Sequence, residues 1–226
     1  MPAEERVHGQ LSTIVVVAAG EADPGIRAYL PDGAEVVAAD GGADTALALG
    51  LEVAVVVGDF DSVTPEGLAA VEAAGAQVQR HPDAKDATDL ELALDVAIER
   101  GAERIVVVGD PGGRLDHLVA GLLLLGHARY AHVQMDALLG PARVHIVRSA
   151  RMLAGEPGEL ISLLPLHGPA EGVVTEGLAY PLRGETLEPG SSRGVSNVFA
   201  DHEAYVALTR GVLAALRPGS PERRTQ

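Results

Sequence analysis

Short, unbroken apolar runs alternate with Ala- and Leu-rich stretches up to about residue 135. Residues 13–19 (TIVVVAA) and 35–39 (EVVAA) read as buried strands, and residues 52–57, 76–80 and 104–108 read as three more. Between them, 43–49, 65–74 and 89–100 have the composition and spacing of helices. Valine runs without polar alternation, separated by helices, predict a parallel sheet covered on both faces. The pattern is α/β and Rossmann-like, and such sheets bind ligands outside the carboxyl ends of their strands.

Beyond about residue 140 the texture changes. Gly and Pro recur at short intervals from Gly155 to Gly190, and no helical period lasts three turns. Short runs at 160–164, 172–175, 197–200, 204–209 and 212–216 read as strands. This predicts a small all-β sandwich following the α/β part. The expected division is 1–140 for the α/β domain and 141–218 for the sandwich, with 219–226 (GSPERRTQ) as a disordered tail.

Composition narrows the chemistry. The 226 residues carry 32 acidic and 17 basic side chains, a formal charge of −15, which argues against nucleic-acid binding because that relies on Lys and Arg at phosphates. With no cysteine there is no disulfide, no thiol nucleophile and no Cys-based zinc site. No apolar run approaches the roughly 20 residues of a membrane span. The opening MPAEERVHGQ is polar and acidic, so a cytoplasmic location is expected. Sixteen of the basic residues are Arg and one is Lys85, and the absence of any Gly-Lys pair excludes a Walker A loop.

The carboxylates are placed where a ligand is expected. Three apolar runs lead directly into Gly and Asp: VVAADGG (Asp40), VVVGDFDS (Asp59 and Asp61) and VVVGDPGGRLDH (Asp110 and Asp116). In a parallel sheet these points share one edge. Gathered carboxylates repel one another unless a cation sits among them, and a hard divalent ion with oxygen ligands, Mg²⁺ above all, resolves the conflict. A single Asp in such a position is more often a turn or cap residue, whereas Asp-x-Asp after a buried strand favours a ligand role.

Two further clusters supply groups for phosphate. In KDATDLE, Thr88 and Glu91 form a capping box at a helix start, with Lys85, Asp86 and Asp89 beside it. In GGRLDH, Gly112 and Gly113 allow close backbone approach, Arg114 offers a planar fork for phosphate, and Asp116 and His117 follow. Together these groups describe a metal–nucleotide phosphate site without a P-loop, for phosphoryl or nucleotidyl chemistry.

The ordered set ADGGAD (39–44), GDFDS (58–62), KDATD (85–89), GGRLDH (112–117), SLLPL (162–166) and GVSN (194–197) resembles the thiamine pyrophosphokinase family over nearly the whole chain. The resemblance implies Mg²⁺-dependent transfer of pyrophosphate from ATP, as co-substrate, to the hydroxyl of thiamine, in a homodimer with the vitamin at the subunit interface. It implies that Asp59, Asp61 and Asp89 hold the metal and, with Arg114, carry the catalysis. It places Asp40, Gly41, Gly42, Lys85, Asp86, Thr88, Gly113, Arg114, Asp116 and His117 around the nucleotide. Ser196 and Asn197 would contact thiamine. Members often stack an aromatic on the vitamin; this chain has no Trp, and Tyr180 or Phe199 offers the flat face instead. The alternatives are a pyrophosphokinase acting on another hydroxymethyl heterocycle, such as a pterin, and an Asp-nucleophile phosphatase suggested by VVVGDFDSV alone.

Overall fold

The valine runs form five parallel strands in a computed structural model that describes residues 11–219 apart from Ala22, 83–86 and 110–113. They are β1 (Thr13–Val17), β2 (Glu35–Ala39), β3 (Val55–Gly58), β4 (Gln77–Arg80) and β5 (Arg104–Gly109). Helices α1 (Gly42–Ala48), α2 (Pro65–Ala73), α3 (Asp89–Glu99) and α4 (Leu115–Leu125) lie between and after them. β1 pairs in parallel with both β2 and β5, which makes the gap between β1 and β5 the topological switch point. Alternate residues of β1 enter opposite cores. Ile14 and Val16 pack with Ala93, Leu94 and Ala97 of α3, while Val15 and Val17 pack with Ala43, Ala46 and Val71. Both faces are dry at β1, β2, β3 and β5, which is why those strands are nearly continuously apolar, whereas the edge strand β4 is exposed or half-buried throughout.

The sheet does not stop at the expected domain boundary. β6 (Gln134–Leu139) runs parallel to β5 and turns through Gly140 and Pro141 into antiparallel β7 (Ala142–Val147). Next to β7 come β14 (Leu213–Arg217), β9 (Leu160–Pro165) and β12 (Asn197–Val198), giving ten strands in the order β12-β9-β14-β7-β6-β5-β1-β2-β3-β4. A second sheet has the order β11-β10-β13-β8 and comprises β8 (Ala150–Ala154), β10 (Ala170–Glu176), β11 (Arg183–Leu187) and β13 (Glu203–Ala207). Leu153, Ile161, Leu163, Val173, Leu187 and Phe199 fill the space between these layers. The second part is therefore a β-sandwich, as the sequence predicts, but one of its layers is the extended edge of the α/β sheet. The expectations for Lys85, Asp86, Asp110, Gly112, Gly113 and residues 220–226 fall outside the described residues.

Gly42 opens α1 against the end of β1. A Cβ at this position would lie 2.0 Å from the Val17 carbonyl oxygen and 2.8 Å from its carbon. The neighbour is backbone in the central strand and has nowhere to go. Gly42→Ala is expected to cost about 1–3 kcal/mol or more by overpacking, seen as a melting temperature lowered by roughly 2–4 °C per kcal/mol. An unchanged melting curve would refute this packing.

Candidate active site

Asp40 follows β2 and Asp59 follows β3, and the two strands are neighbours. Asp89 is the first residue of α3. Asp40, Asp59 and Asp89 each offer a carboxylate oxygen, and the three oxygens lie within 4.8 Å of one another. Two backbone features bring them together. Asp40 has a left-handed backbone (φ 44°); its N–H donates to Val57 O at 2.8 Å, and its own carbonyl accepts from Ala43 N at 3.0 Å as α1 begins. Gly58 has φ 154°, and a Cβ there would lie 2.9 Å from Asp40 Cβ and 3.1 Å from Asp89 Oδ1. Glycine is what allows the two acidic side chains to flank this point.

Asp40 is the most buried of the three, at 5% exposure. Its Oδ2 accepts the Ser62 N–H at 3.2 Å, and its Oδ1 is buried without a hydrogen-bond partner. Burial pushes this carboxyl above its ordinary range; hydrogen bonding from Ser62 opposes the shift, and the charge of Asp89 adds to it. A buried acceptor oxygen facing two further carboxylates is a donor set that suits a hard divalent cation.

The residues expected from sequence divide into three groups. Asp59 and Asp89 belong to this acidic crevice, and Asp40, expected at the nucleotide, joins them as the third carboxylate. Asp61 does not. Phe60 adopts a left-handed conformation (φ 67°), so Asp61 points to solvent and accepts Ser62 Oγ–H at 2.8 Å. The turn is held by Arg80, whose guanidinium lies 4.6 Å from the Phe60 ring centroid and donates to Asp59 O at 3.2 Å.

Gly41 and Gly42 are buried where α1 meets β1 and the 59–62 turn. Thr88 caps α3 by accepting the Glu91 N–H at 3.2 Å, but Glu91 does not complete a capping box; its carboxylate receives Arg129 Nη1 at 3.3 Å. Arg114 stands at the start of α4 and grips Asp116 through two contacts, Nη2–Oδ2 at 2.6 Å and Nε–Oδ1 at 3.2 Å. Arg114 holds the Asp116 carboxyl down at about 2, so the pair stays charged at any working pH. His117, next to Asp116, is exposed.

The sandwich carries a separate cavity of about 530 Å³ lined by Tyr180, Leu182 and residues 191–197. Ser196 lies in its wall with φ 56°, and its N–H donates to Ser162 Oγ at 3.1 Å. Asn197 is 3% exposed, and its amide is already occupied: Nδ2 donates to Tyr180 O at 2.8 Å, and Oδ1 accepts from Tyr180 N at 3.0 Å and Val198 N at 2.8 Å. It therefore orients Tyr180. Tyr180 is 61% exposed at the cavity, whereas Phe199 is 1% exposed in the sandwich core against Gly155. Of the two aromatics considered, Tyr180 is the one available to a ligand.

Six strand pairings separate β2, which carries Asp40, from β9, beside this cavity. At about 4.8 Å each, that is roughly 29 Å along the sheet.

Fold and crevice together define a class: an α/β protein with a cation-suited acidic crevice at the carboxyl edge of its sheet, extended by a β-sandwich with its own polar cavity. Comparison with known proteins makes the class specific. Residues 27–136 match the family profile described as thiamin pyrophosphokinase, catalytic domain, and 144–213 match thiamin pyrophosphokinase, vitamin B1 binding domain. A Bacillus subtilis protein named thiamine pyrophosphokinase is 27% identical over 211 residues, covering 92% of this chain and 99% of that one. The crystal structure of thiamine pyrophosphokinase from Bacillus subtilis superposes with a TM-score of 0.81 at 26% identity, covering 92% of this chain and all of that one (100%). The structure of thiamin pyrophosphokinase from Candida albicans shares the fold, with a TM-score of 0.74 at 15% identity over 92% of this chain and 89% of that one. The chain belongs to the thiamin pyrophosphokinase family. Membership places it among enzymes of the kinase type. No helix among the described residues is long and apolar enough to cross a membrane.

Proposed function

We propose that the chain transfers a diphosphoryl group from ATP to the hydroxyl of thiamine, with Mg²⁺, giving thiamine diphosphate and AMP. The observation that carries this reading is the buried Asp40 Oδ1, without a hydrogen-bond partner and within reach of two more carboxylates at the sheet edge. Asp40, Asp59 and Asp89 would hold the ion, which when bound supplies positive charge against the phosphate oxygens of ATP. In the reaction the thiamine oxygen bonds to the β-phosphorus, the bond from that phosphorus to the AMP oxygen breaks, and the hydroxyl proton leaves to a carboxylate. Positioning and charge neutralisation dominate such transfers. Arg114 has the planar donor set that phosphate oxygens match, and they would take it by displacing Asp116 from Nε and Nη2. Thr88, His117 and the buried Gly41–Gly42 turn shape the nucleotide side. Tyr180, held by Asn197, gives the vitamin's cationic ring a flat face, and Ser196 lies beside it.

The same reading calls for a homodimer. Within one chain the acidic crevice and the vitamin cavity stand far apart along the sheet, so a second copy brings its cavity to the first copy's crevice. α4, which follows Arg114, exposes Leu115, Val119 and Leu123 at i, i+4 and i+8, an apolar stripe that a second copy would cover.

The test is an assay with ATP, thiamine and Mg²⁺ that measures AMP and thiamine diphosphate. Complementation tests the shared site. Asp59→Asn and Tyr180→Ala are each expected to be poor enzymes. Mixed one to one and allowed to exchange subunits, they should regain about a quarter of wild-type activity, because each mixed dimer has one intact site. No recovery despite demonstrated exchange would place the whole site in one chain.

A further inference from the structure

Among the described residues, one charged side chain lies in the wall of the sandwich cavity, Arg193. Its guanidinium does not face the cavity alone. Glu185, on β11, takes it in a two-point fork, with Nε to Oε2 at 2.8 Å and Nη2 to Oε1 at 3.0 Å. The Arg193 N–H also donates to Ser191 Oγ at 3.1 Å, which fixes the loop carrying the fork. The pairing holds Glu185 below and Arg193 above their ordinary ranges, so both partners stay charged. The two side chains are 49% and 39% exposed. A pair this open adds little to folding stability, and its place puts the guanidinium in the cavity wall.

All the other groups in the wall are uncharged, so this pair sets the sign of the local potential. With Glu185 in place, the wall is neutral. Without it, a free guanidinium would line a polar cavity of about 530 Å³ and make it a place for phosphate. The same guanidinium would repel a ring that carries a permanent positive charge.

We propose that Glu185 is a specificity-determining residue of the acceptor cavity: by locking Arg193 into a neutral fork it admits a cationic heteroaromatic alcohol and keeps the wall from acting as an anion site. This rests on the acceptor reading above, and the experiment separates the two. Wild-type protein is first assayed with ATP, Mg²⁺ and thiamine. Failure to release AMP there overturns the acceptor reading itself, before any variant is considered.

With wild type active, Glu185→Gln is compared on thiamine and on a neutral isostere in which an uncharged ring replaces the thiazolium. The KM for thiamine should rise about tenfold, the scale of one uncompensated charge a few ångströms away in a half-solvated setting. The KM for the neutral isostere should stay within about twofold, and inorganic pyrophosphate should become a stronger inhibitor by a similar factor. The double variant Glu185→Gln/Arg193→Gln should recover most of the lost preference for the cation, because it removes the freed charge. Equal losses on both acceptors, an unchanged thiamine KM, or a double variant no better than the single one would each overturn the proposal. Should Glu185→Gln fail to fold, the double variant still tests it: the ratio of the two acceptors' kcat/KM must remain near that of wild type, and a collapse of that ratio refutes the role of charge.

Discussion

Asp40→Asn is expected to reduce turnover by on the order of 10³-fold, the scale of removing a group that organises charge at the transfer point. On this reading Mg²⁺ should raise the melting temperature of wild type, since an ion that binds only the folded state stabilises it by mass action, and the same variant should abolish that rise. Its effect on the metal-free protein should have the opposite sign. The Asp40 carboxyl is raised by burial, so the folded state holds this proton more tightly than the unfolded chain. The group therefore supports folding fully in acid, and that support is lost as pH rises through the raised value. At neutral pH the buried carboxylate without a cation is a burden, and Asn removes it. The metal-free variant should melt at or above wild type. A variant that is both inactive and unstable without Mg²⁺ would make Asp40 a structural residue. Asp61→Asn provides the contrast. Asp61 is exposed and bonded to Ser62, so its loss should be the smaller one. Equal losses for the two variants would show that the 59–62 turn carries Asp61 inward when the nucleotide and cation bind.

This contrast marks where the sequence was legible and where it was not. The alternation of valine runs and helices predicted β1, β2, β3, β5 and α1 to α3 because both faces of that part of the sheet are buried, and continuous apolarity is the signature of double burial, while the polar edge strand β4 was legible only from its place in the alternation. The same logic missed β6, β7, β8 and β11, of which β6 and β11 are the clearest cases. Gln134–Leu139 carries a buried Asp136, and Arg183–Leu187 has one buried residue in five, so neither reads as a strand from hydrophobicity. The expected domain boundary fell on the hairpin between β6 and β7, where the pattern changes from both faces buried to alternating burial while the hydrogen-bonded sheet runs on.

At the site, strand-end aspartates were readable because turn chemistry and parallel pairing put them on one edge. Which of them converge was not. The spacing of Asp59 and Asp61 suggested a pair, whereas the left-handed Phe60 separates them and the β2–β3 pairing brings in Asp40 from nineteen positions upstream (59 − 40). Gly58 was visible only as a turn residue; its position between Asp40 and Asp89 needs coordinates. Asn197 was read as a ligand contact because it is a polar residue in a motif, and the structure shows its amide spent on Tyr180. Arg193 and Glu185 carried no motif at all, and their pairing is a property of the fold.

The part that holds the two halves together offers the largest expected change in stability. Asp136 lies on β6 at 3% exposure and is surrounded by two guanidiniums and an imidazole from three other strands. Arg104 of β5 reaches it at 2.8 Å, Arg151 of β8 at 2.7 Å and His145 Nδ1 of β7 at 2.8 Å. Burial alone would raise this carboxyl. The His145 hydrogen bond and the charge and hydrogen bonding of Arg151 outweigh it, and the group sits well below the usual carboxylate range. A depressed pKa contributes stability that is fully present above the unfolded-state value and is lost as pH falls below about 4 toward the folded-state one.

Asp136→Asn keeps the shape and deletes the charge, leaving two guanidiniums crowded at a buried point. Breaking a buried network in this way costs about 3–5 kcal/mol, or roughly 10 °C in a chain of this size. The gap in melting temperature between wild type and variant should be widest near neutral pH and should narrow below pH of about 4, because only wild type has that contribution to lose. A gap that stays constant with pH would show that the loss comes from packing. Activity per folded molecule, measured well below the melting transition, should stay close to that of wild type, since β6 is three pairings from β2 and touches none of the acidic crevice. If turnover falls together with stability, the ion cluster also fixes the relative placement of crevice and cavity. In that case Asp136 would be a positioning residue, acting through the packing of β5, β6, β7 and β8 and not through contact with the crevice.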